Sequence, residues 1–414
     1  MKTHRPEVFP PIPAALVAVA LLFAPALSRA QFLDILKDKA AQAAKAAQQK
    51  LENAKSAADP SKPADGPAST ATAAPAGQAS GDMQAQPLQA YQGYDFVPGD
   101  TIVFEDSFDK DDDGEFPAHW NQLDGQGAVN LIAGRKAFAM TASDYSMVSP
   151  AIKSAQYLGD AWTLEFDTYA SDGGAHPRLY LFNSDKDKHS YSTAVAEIRF
   201  GWNNWSDIGV RAGDMNIQQR YPDVVSRKDF LNHWHHVALA YREGRVKIYI
   251  DQYRVYSLQD LKARPKALAF DSAGESSRPD VIANVRIANG AGIKLVDKKF
   301  TDAKIVTHGI NFDNDKATLK PESMGTLNMI VDILKNNADL RFEIQGHTDN
   351  NGGAAHNLAL SQQRAEAVRQ QLVGMGVDAV RLATKGLGDT KPIGDNASPE
   401  GRANNRRVEF VKVK

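Results

Sequence analysis

The sequence contains no cysteine. That excludes a disulfide framework and a lipid-modified N-terminal cysteine. Neither charge is in excess: 48 Lys and Arg stand against 50 Asp and Glu, a formal net charge of −2. Nothing therefore favours nucleic acid as a partner. Long apolar runs are scarce. The one candidate, Ala14 to Leu27, contains Pro25 and is only about 14 residues, against roughly 20 for a spanning helix. No series of alternating strands about ten residues long marks a membrane barrel. At 414 residues the chain is expected to hold two to three domains.

What is present begins with the pattern of a secretory signal over 1–30. Lys2, His4 and Arg5 form a basic start, Ala14 to Leu27 an apolar core, and Ser28-Arg29-Ala30 a small-residue cleavage site with Gln31 as the mature N-terminus. An uncleaved anchor is the alternative, and the shortness of the core argues against it. No transmembrane segment is expected in the mature chain. Residues 31–56 are rich in Ala, Lys and Gln and have high helix propensity, with Leu33 and Leu36 as an apolar start. Residues 57–93 shift to Pro, Ala, Ser, Thr and Gly, including Pro60, Pro63, Pro67, Pro75 and Pro87, the composition of an extended linker.

Over 94–292, short runs rich in Val, Ile, Tyr and Phe recur between polar turns, which predicts an all-β sandwich or jelly roll. The clearest hairpin is His233-Trp234-His235-His236-Val237 through Tyr241, then Glu243-Gly244 as the turn, then Val246 through Asp251. This hairpin resembles the laminin-G/concanavalin-A-like jelly roll. The resemblance implies a fold that hosts lectins, hydrolases and interaction modules alike, so it leaves the ligand open as a glycan or a protein.

Three constellations in this region bear on chemistry. Asp109, Asp111 and Asp113, followed by Gly114, have the start of a calcium loop and are its candidate metal ligands. The twelfth position is Trp120 instead of the bidentate Glu, so an acidic turn anchored by Phe116, Pro117 and Trp120 competes with bound calcium. No other cofactor is expected. His233 and His235 alternate onto one strand face, where two imidazoles could share zinc, but no third ligand is visible. Glu165 and Asp167 share a strand face as in the hydrolases of this fold, which resemble E-x-D-x-x-E. Here the last position is Ala170, and one of the needed carboxyl groups is missing.

The C-terminal region, 298–414, carries the most specific pattern. Alternation at Leu340, Phe342 and Ile344 predicts a strand, and Ala365, Val368 and Leu372 recur at helical spacing. Between them stand Gly346-His347-Thr348-Asp349-Asn350, Asn357 and Leu360-Ser361-Gln362-Gln363-Arg364-Ala365. Asp349 thus leaves a strand and Arg364 enters a helix. The two charges either pair with each other or stand apart to grip a ligand carrying an ammonium and a carboxylate. Together with Ile310-Asn311-Phe312-Asp313, Gly386, Gly388, Pro392 and Gly401-Arg402-Ala403 through Arg406-Arg407-Val408-Glu409, these residues resemble the OmpA C-terminal domain family. That family includes peptidoglycan-associated lipoproteins and flagellar stator B proteins, and the missing cysteine sets this chain apart from the lipid-anchored branch.

The resemblance implies an α+β domain, a small mixed sheet with helices on one face, that binds peptidoglycan without catalysis. Asp349 would accept from the ammonium of diaminopimelate in the stem peptide, and Arg364 would fork onto its carboxylate. Asn314, Thr348 and Asn357 would line the pocket, and Arg407 would either join them or buttress the sheet. His356 stands where the family usually has tyrosine. The expected protein is a multidomain, non-enzymatic envelope protein, wall-bound in the periplasm or at the inner face of the outer membrane. A jelly-roll hydrolase tethered by the C-terminal domain is the alternative. A stator component is set aside, because it needs a retained transmembrane helix bearing an ion-carrying aspartate.

Overall fold

The computed structural model describes residues 88–413, apart from 92, 142–145, 172–176, 202–206, 224, 226–229, 273–277 and 291–299. The expected signal peptide, the expected helix over 31–56 and most of the expected linker lie outside the described residues.

The strands of the first region are β1 (Thr101–Asp106), β2 (Trp120–Asp124), β3 (Gly127–Ile132), β4 (Arg135–Met140), β5 (Ser146–Pro150), β6 (Ala161–Tyr169), β7 (Arg178–Phe182) and β8 (Ala196–Phe200). They continue as β9 (Asp207–Ala212), β10 (Met215–Arg220), β11 (Trp234–Arg242), β12 (Arg245–Ile250), β13 (Tyr253–Leu258), β14 (Ala267–Ser272) and β15 (Asp280–Asn289). They form two antiparallel sheets. One runs β13-β12-β11-β6-β15-β4-β3, with β1 also on β15; the other runs β10-β9-β8-β7-β14-β5-β2. This is an all-β sandwich. The β11–β12 hairpin turns through Glu243 and Gly244, both at positive φ (50° and 92°), which matches the right-handed strand twist.

Alternation decides which side chains meet in the sandwich core. Trp162, Leu164 and Phe166 of β6, Val237, Leu239 and Tyr241 of β11, and Ile248 and Ile250 of β12 all enter it. The outward face of such a sheet is ordinarily solvated. Here it is covered. Ala238, Ala240 and Tyr249 belong to a second apolar cluster with Tyr94, Phe96, Met324, Leu327 and Phe342. Glu165 and Asp167, on the outward side of β6, are buried as well.

The covering layer is the C-terminal α+β domain. Its four-stranded sheet runs β16 (Lys304–Thr307), β19 (Val408–Val413), β17 (Arg341–His347) and β18 (Leu382–Gly388), with β17–β18 parallel and the other pairs antiparallel. The helices are α1 (Met324–Asn336), α2 (Ala354–Gly374) and α3 (Pro399–Asn405). Met324, Leu327, Ile330, Val331 and Leu334 of α1 are buried at the 3–4 spacing of a core-facing helix. Pro321 opens the short 3₁₀ turn just before it.

Tyr91 and residues 93–97 wedge between the two folds. A Cβ on Gly325 of α1 would come within 1.7 Å of the Phe96 carbonyl oxygen, so the helix lies directly on this extended segment. Asn328 Nδ2 donates to the Tyr94 carbonyl at 3.0 Å, and Tyr94 and Phe96 meet the Tyr249 ring edge-on. A polar seam continues the contact. The side-chain amide of Asn404 on α3 accepts from Ile102 N (3.0 Å) and donates to Ile102 O (2.9 Å), pairing with β1 as another strand would. Arg286 on β15 donates to His308 O at 3.2 Å and to Asn311 Oδ1 at 3.1 Å. Apolar contact and directional bonds together fix the sandwich against the α+β domain.

Candidate functional site

Close packing of α2 onto the β17–β18 pair sets the position of the two predicted charges. A Cβ on Gly346 would stand 2.2 Å from Ser361 O, so the absence of a side chain lets the helix touch the strand. Ser361 Oγ also accepts from Gly388 N at 2.9 Å. The loop from Thr348 to Gly353 then turns back over the end of the helix. Its carboxylate, Asp349, is 7% exposed. Oδ1 accepts from Asn351 N at 2.9 Å, and Asn357 Nδ2 donates to the Asp349 carbonyl at 3.3 Å.

Asp349 and Arg364 are not bonded to each other. Arg364 donates through Nε to Lys316 O (2.9 Å) and through Nη2 to Asp313 O (3.4 Å), and its guanidinium lies 5.0 Å over the Phe312 ring. Its recorded bonds thus go to main-chain carbonyls, not to a carboxylate. Burial lowers its pKa, with Asp315 working the other way. Asp349 does have a cation, but a different one: Arg406 Nη1 donates to Asp349 Oδ2 at 2.6 Å, and Arg406 Nη2 reaches Glu105 on β1 of the sandwich. The sequence placed Arg406 within a motif but gave it no role. Its neighbour Arg407 was singled out instead, and only the fold tells two adjacent arginines apart.

Both Asp349 and Arg364 line one open cleft of about 1140 Å³. Asn314, Thr348 and Asn357 line it too, and His356 stands at its edge bonded to Asp315 Oδ1 at 2.6 Å. Arg407 is elsewhere. It is buried, donating to Glu409 Oε1 (2.7 Å), Asn405 O (3.3 Å) and Lys391 O (3.0 Å), and it reaches a smaller neighbouring cavity.

The same cleft extends to the outward face of the sandwich. Glu165, Asp167, His236 and Arg286 form its floor. Arg286 donates to Glu165 Oε1 through Nε (2.9 Å) and Nη2 (2.7 Å). His236 Nδ1 bonds Asp167 Oδ1 at 2.8 Å, and its Nε2 stands 3.5 Å from Glu165 Oε2. Asn284 Nδ2 and Arg135 Nη1 complete the shell of Asp167 at 2.7 and 3.3 Å. Burial would lower the pKa of His236, but Asp167 and Glu165 push the imidazole up to about 10. Burial would likewise raise Glu165 and Asp167, yet Arg286 and His236 hold Glu165, and His236 and Asn284 hold Asp167, below the usual carboxylate range. The cluster is therefore an imidazolium and guanidinia among ionised carboxylates. The Glu165–Asp167 pair was legible as a pair; its cationic partners, distant in sequence, were not.

The geometry gives the candidate metal ligands other partners. Among the described residues no group of three or more His, Cys, Asp or Glu is placed to hold a metal ion. Asp109 accepts from Ser107 Oγ (2.9 Å), Asp111 from Ala118 N (2.9 Å), and Asp113 pairs with Lys136 at 3.4 Å. Their oxygens close a turn instead of converging on calcium. The turn is pinned by Trp120, buried against Phe104 and Phe108, and by Phe116 against Phe138. His235 is held between Asp251 Oδ2 and Phe230 O, each at 2.7 Å, while His233 Nδ1 bonds Leu231 O at 2.8 Å. Neither imidazole is turned to a shared ion.

Sequence comparison fits the C-terminal geometry. Residues 311–406 match the OmpA family, and this part of the chain is an OmpA-like domain. Over 107 residues the chain is 50% identical to the peptidoglycan-binding protein ArfA of Mycobacterium tuberculosis, covering 26% of this chain and 33% of that one. It is 44% identical over 122 residues to the probable lipoprotein YiaD of Escherichia coli, covering 30% and 56%. The crystal structure of the peptidoglycan-associated lipoprotein from Burkholderia pseudomallei aligns at 29% identity over 29% of this chain and 98% of that one, with a TM-score of 0.25. The matched stretch thus spans only a third to about half of these curated relatives.

Proposed function

We propose that this chain is a non-catalytic envelope protein of the periplasm, held to the cell wall by its C-terminal domain. The ligand is the free amino-acid end of diaminopimelate in the peptidoglycan stem peptide. Asp349 accepts from its ammonium, and Arg364 forks onto its carboxylate, a bidentate match that lysine cannot make. Asn314, Thr348 and Asn357 surround that end. The observation that carries the reading is that Asp349 and Arg364 line one open cleft without consuming each other's charge. The peptidoglycan-binding name of a relative that is 50% identical over 107 residues supports it. Charge-assisted hydrogen bonds of this kind contribute roughly 1.5–3 kcal/mol each, so loss of either partner removes most of the affinity.

The sandwich, read as a laminin-G/concanavalin-A-like jelly roll, presents a second surface. Hydrolysis by Glu165 and Asp167 is disfavoured on physical grounds. Glycoside cleavage needs one carboxyl group that carries a proton, whereas both of these are held ionised by Arg286 and His236. The test is co-sedimentation of the mature protein with purified sacculi containing diaminopimelate. Asp349→Ala and Arg364→Ala should each abolish pelleting while leaving thermal unfolding cooperative. Retained pelleting of both variants would remove the mechanism.

A further inference from the structure

The cleft is larger than its proposed occupant requires. Small-molecule pockets run to about 300–1,000 Å³, and this one is about 1140 Å³. A single amino-acid end held between Asp349 and Arg364 fills a small part of it. The rest lies against the sandwich, where Lys110, His119, His236 and Arg286 line the wall among the carboxylates of Glu105, Asp106, Asp109, Asp111, Glu165 and Asp167.

That wall is built, not incidental. Arg286 and Asn404 bond across the seam to His308, Asn311 and Ile102, which fixes the width of the cleft. Apolar packing of Tyr94 and Phe96 on Tyr249 holds it from the other side. Buried ion pairs are a weak source of stability, because desolvation offsets most of their attraction. A cluster of Glu165, Asp167, His236 and Arg286 at an interface is thus poorly explained as mere cement, and such clusters in clefts mark functional sites. One polar atom of the cluster also makes no hydrogen bond, although Glu165 pairs with it by charge. With Nδ1 committed to Asp167, His236 keeps Nε2 buried and without a hydrogen bond, since Glu165 Oε2 is 3.5 Å away.

We infer that the sandwich is the second wall of the peptidoglycan site, and that it binds the carboxylate- and amide-bearing remainder of the same wall peptide whose zwitterionic end sits between Asp349 and Arg364. This rests on the function proposed above and adds to it what the sandwich is for. His236 Nε2–H supplies a donor at the floor for a ligand carbonyl or carboxylate, and Lys110 and His119 supply cationic or polar contacts at the exposed rim. The whole chain then reads a longer ligand than the C-terminal domain alone can hold.

The experiment uses the mature protein and two soluble probes in titration calorimetry: meso-diaminopimelate, and a disaccharide-tetrapeptide muropeptide containing it. The expected result is at least tenfold tighter binding of the muropeptide. The double substitution Lys110→Ala, His119→Ala, confined to the exposed rim, should cut that gain several-fold. His236→Gln should remove most of it, and both should bind meso-diaminopimelate as the unaltered protein does. Equal affinity for the two probes, or an undiminished gain in the rim variant, would overturn the inference while leaving the proposed function standing. If meso-diaminopimelate is not bound, or is bound equally by Asp349→Ala and Arg364→Ala, the proposed function fails and the inference falls with it.

Discussion

Arg406 donates to Asp349 at 2.6 Å from one terminal nitrogen and reaches Glu105 from the other. One guanidinium thus ties the loop after β17 to the first strand of the sandwich. The carboxylate that the proposed ligand needs is oriented by a residue whose other partner belongs to a different fold. Three bonds set the plane of Asp349, those from Arg406 and from Asn351 Nδ2 to Oδ2 and that from Asn351 N to Oδ1. Arg406→Ala should therefore weaken sacculus binding by about tenfold, near 1.4 kcal/mol, through loss of orientation. Arg406→Lys keeps the charge but not the fork, and should recover only part of that loss. Binding isotherms on sacculi decide it; unchanged affinity in Arg406→Ala would show that Asn351 alone suffices.

Arg407 separates a structural from a binding role. Its guanidinium is buried against Glu409 and donates to two main-chain carbonyls. Removing Arg407 leaves Glu409 with Lys304, whose Nζ bonds Oε2 at 2.7 Å, so the cost stays below the roughly 3–5 kcal/mol of a fully uncompensated buried charge. Arg407→Ala should lower the melting temperature by several degrees, whereas Arg364→Ala, whose bonds go to main-chain carbonyls at the cleft, should shift it far less while losing binding. Equal destabilisation by the two would place both in the same structural class.

How much of this was legible in the sequence follows from the range of the interactions. The β11–β12 hairpin, the strand before Gly346 and the α1 stripe are local patterns, and periodicity alone placed them. Asp349 and Arg364 were legible as a pair because one strand–loop–helix unit carries both. Arg406 could not be assigned a partner, since Glu105 stands on a different fold at the opposite end of the described chain. Burial on both faces of β6 was likewise hidden. Thr163, Glu165 and Asp167 give it the alternation of a strand with one wet face, and only docking of the C-terminal domain buries that face. The acidic run from Asp109 to Asp113 looked like a metal loop because composition records the oxygens but not the donors already bound to them.

Gly346 links packing to the site. A methyl group there meets the Ser361 carbonyl at 2.2 Å, and a main-chain atom cannot swing aside as a side chain would. Overpacking of this kind costs about 1–3 kcal/mol. Gly346→Ala should lower stability by that order, push α2 off β17, and displace Arg364 relative to Asp349. Sacculus binding should fall by more than the stability loss explains, measured at a temperature where the variant is fully folded. A variant that is destabilised but binds normally would show that α2 relaxes without moving Arg364.

Two histidines should bend the stability profile in opposite directions. Asp167 and Glu165 raise His236 to about 10 against an unperturbed 6.5, despite its burial. Its contribution is then fully present below pH 6.5 and is lost as pH rises through 10. His347 is the reverse: burial and the Arg407 guanidinium bring it down to about 4. Its contribution is present above pH 6.5 and is lost as pH falls through 4. Other groups titrate across the same range, so the test is a difference from single variants. The unfolding free-energy gap between the unaltered protein and His236→Gln should narrow from pH 6 to pH 10.5. The gap to His347→Gln should narrow from pH 7.5 to pH 4. A gap to His236→Gln that holds constant into alkali would mean that the imidazole is neutral on the cleft floor, and the charge balance of Glu165 and Asp167 would then rest on Arg286 and Arg135 alone.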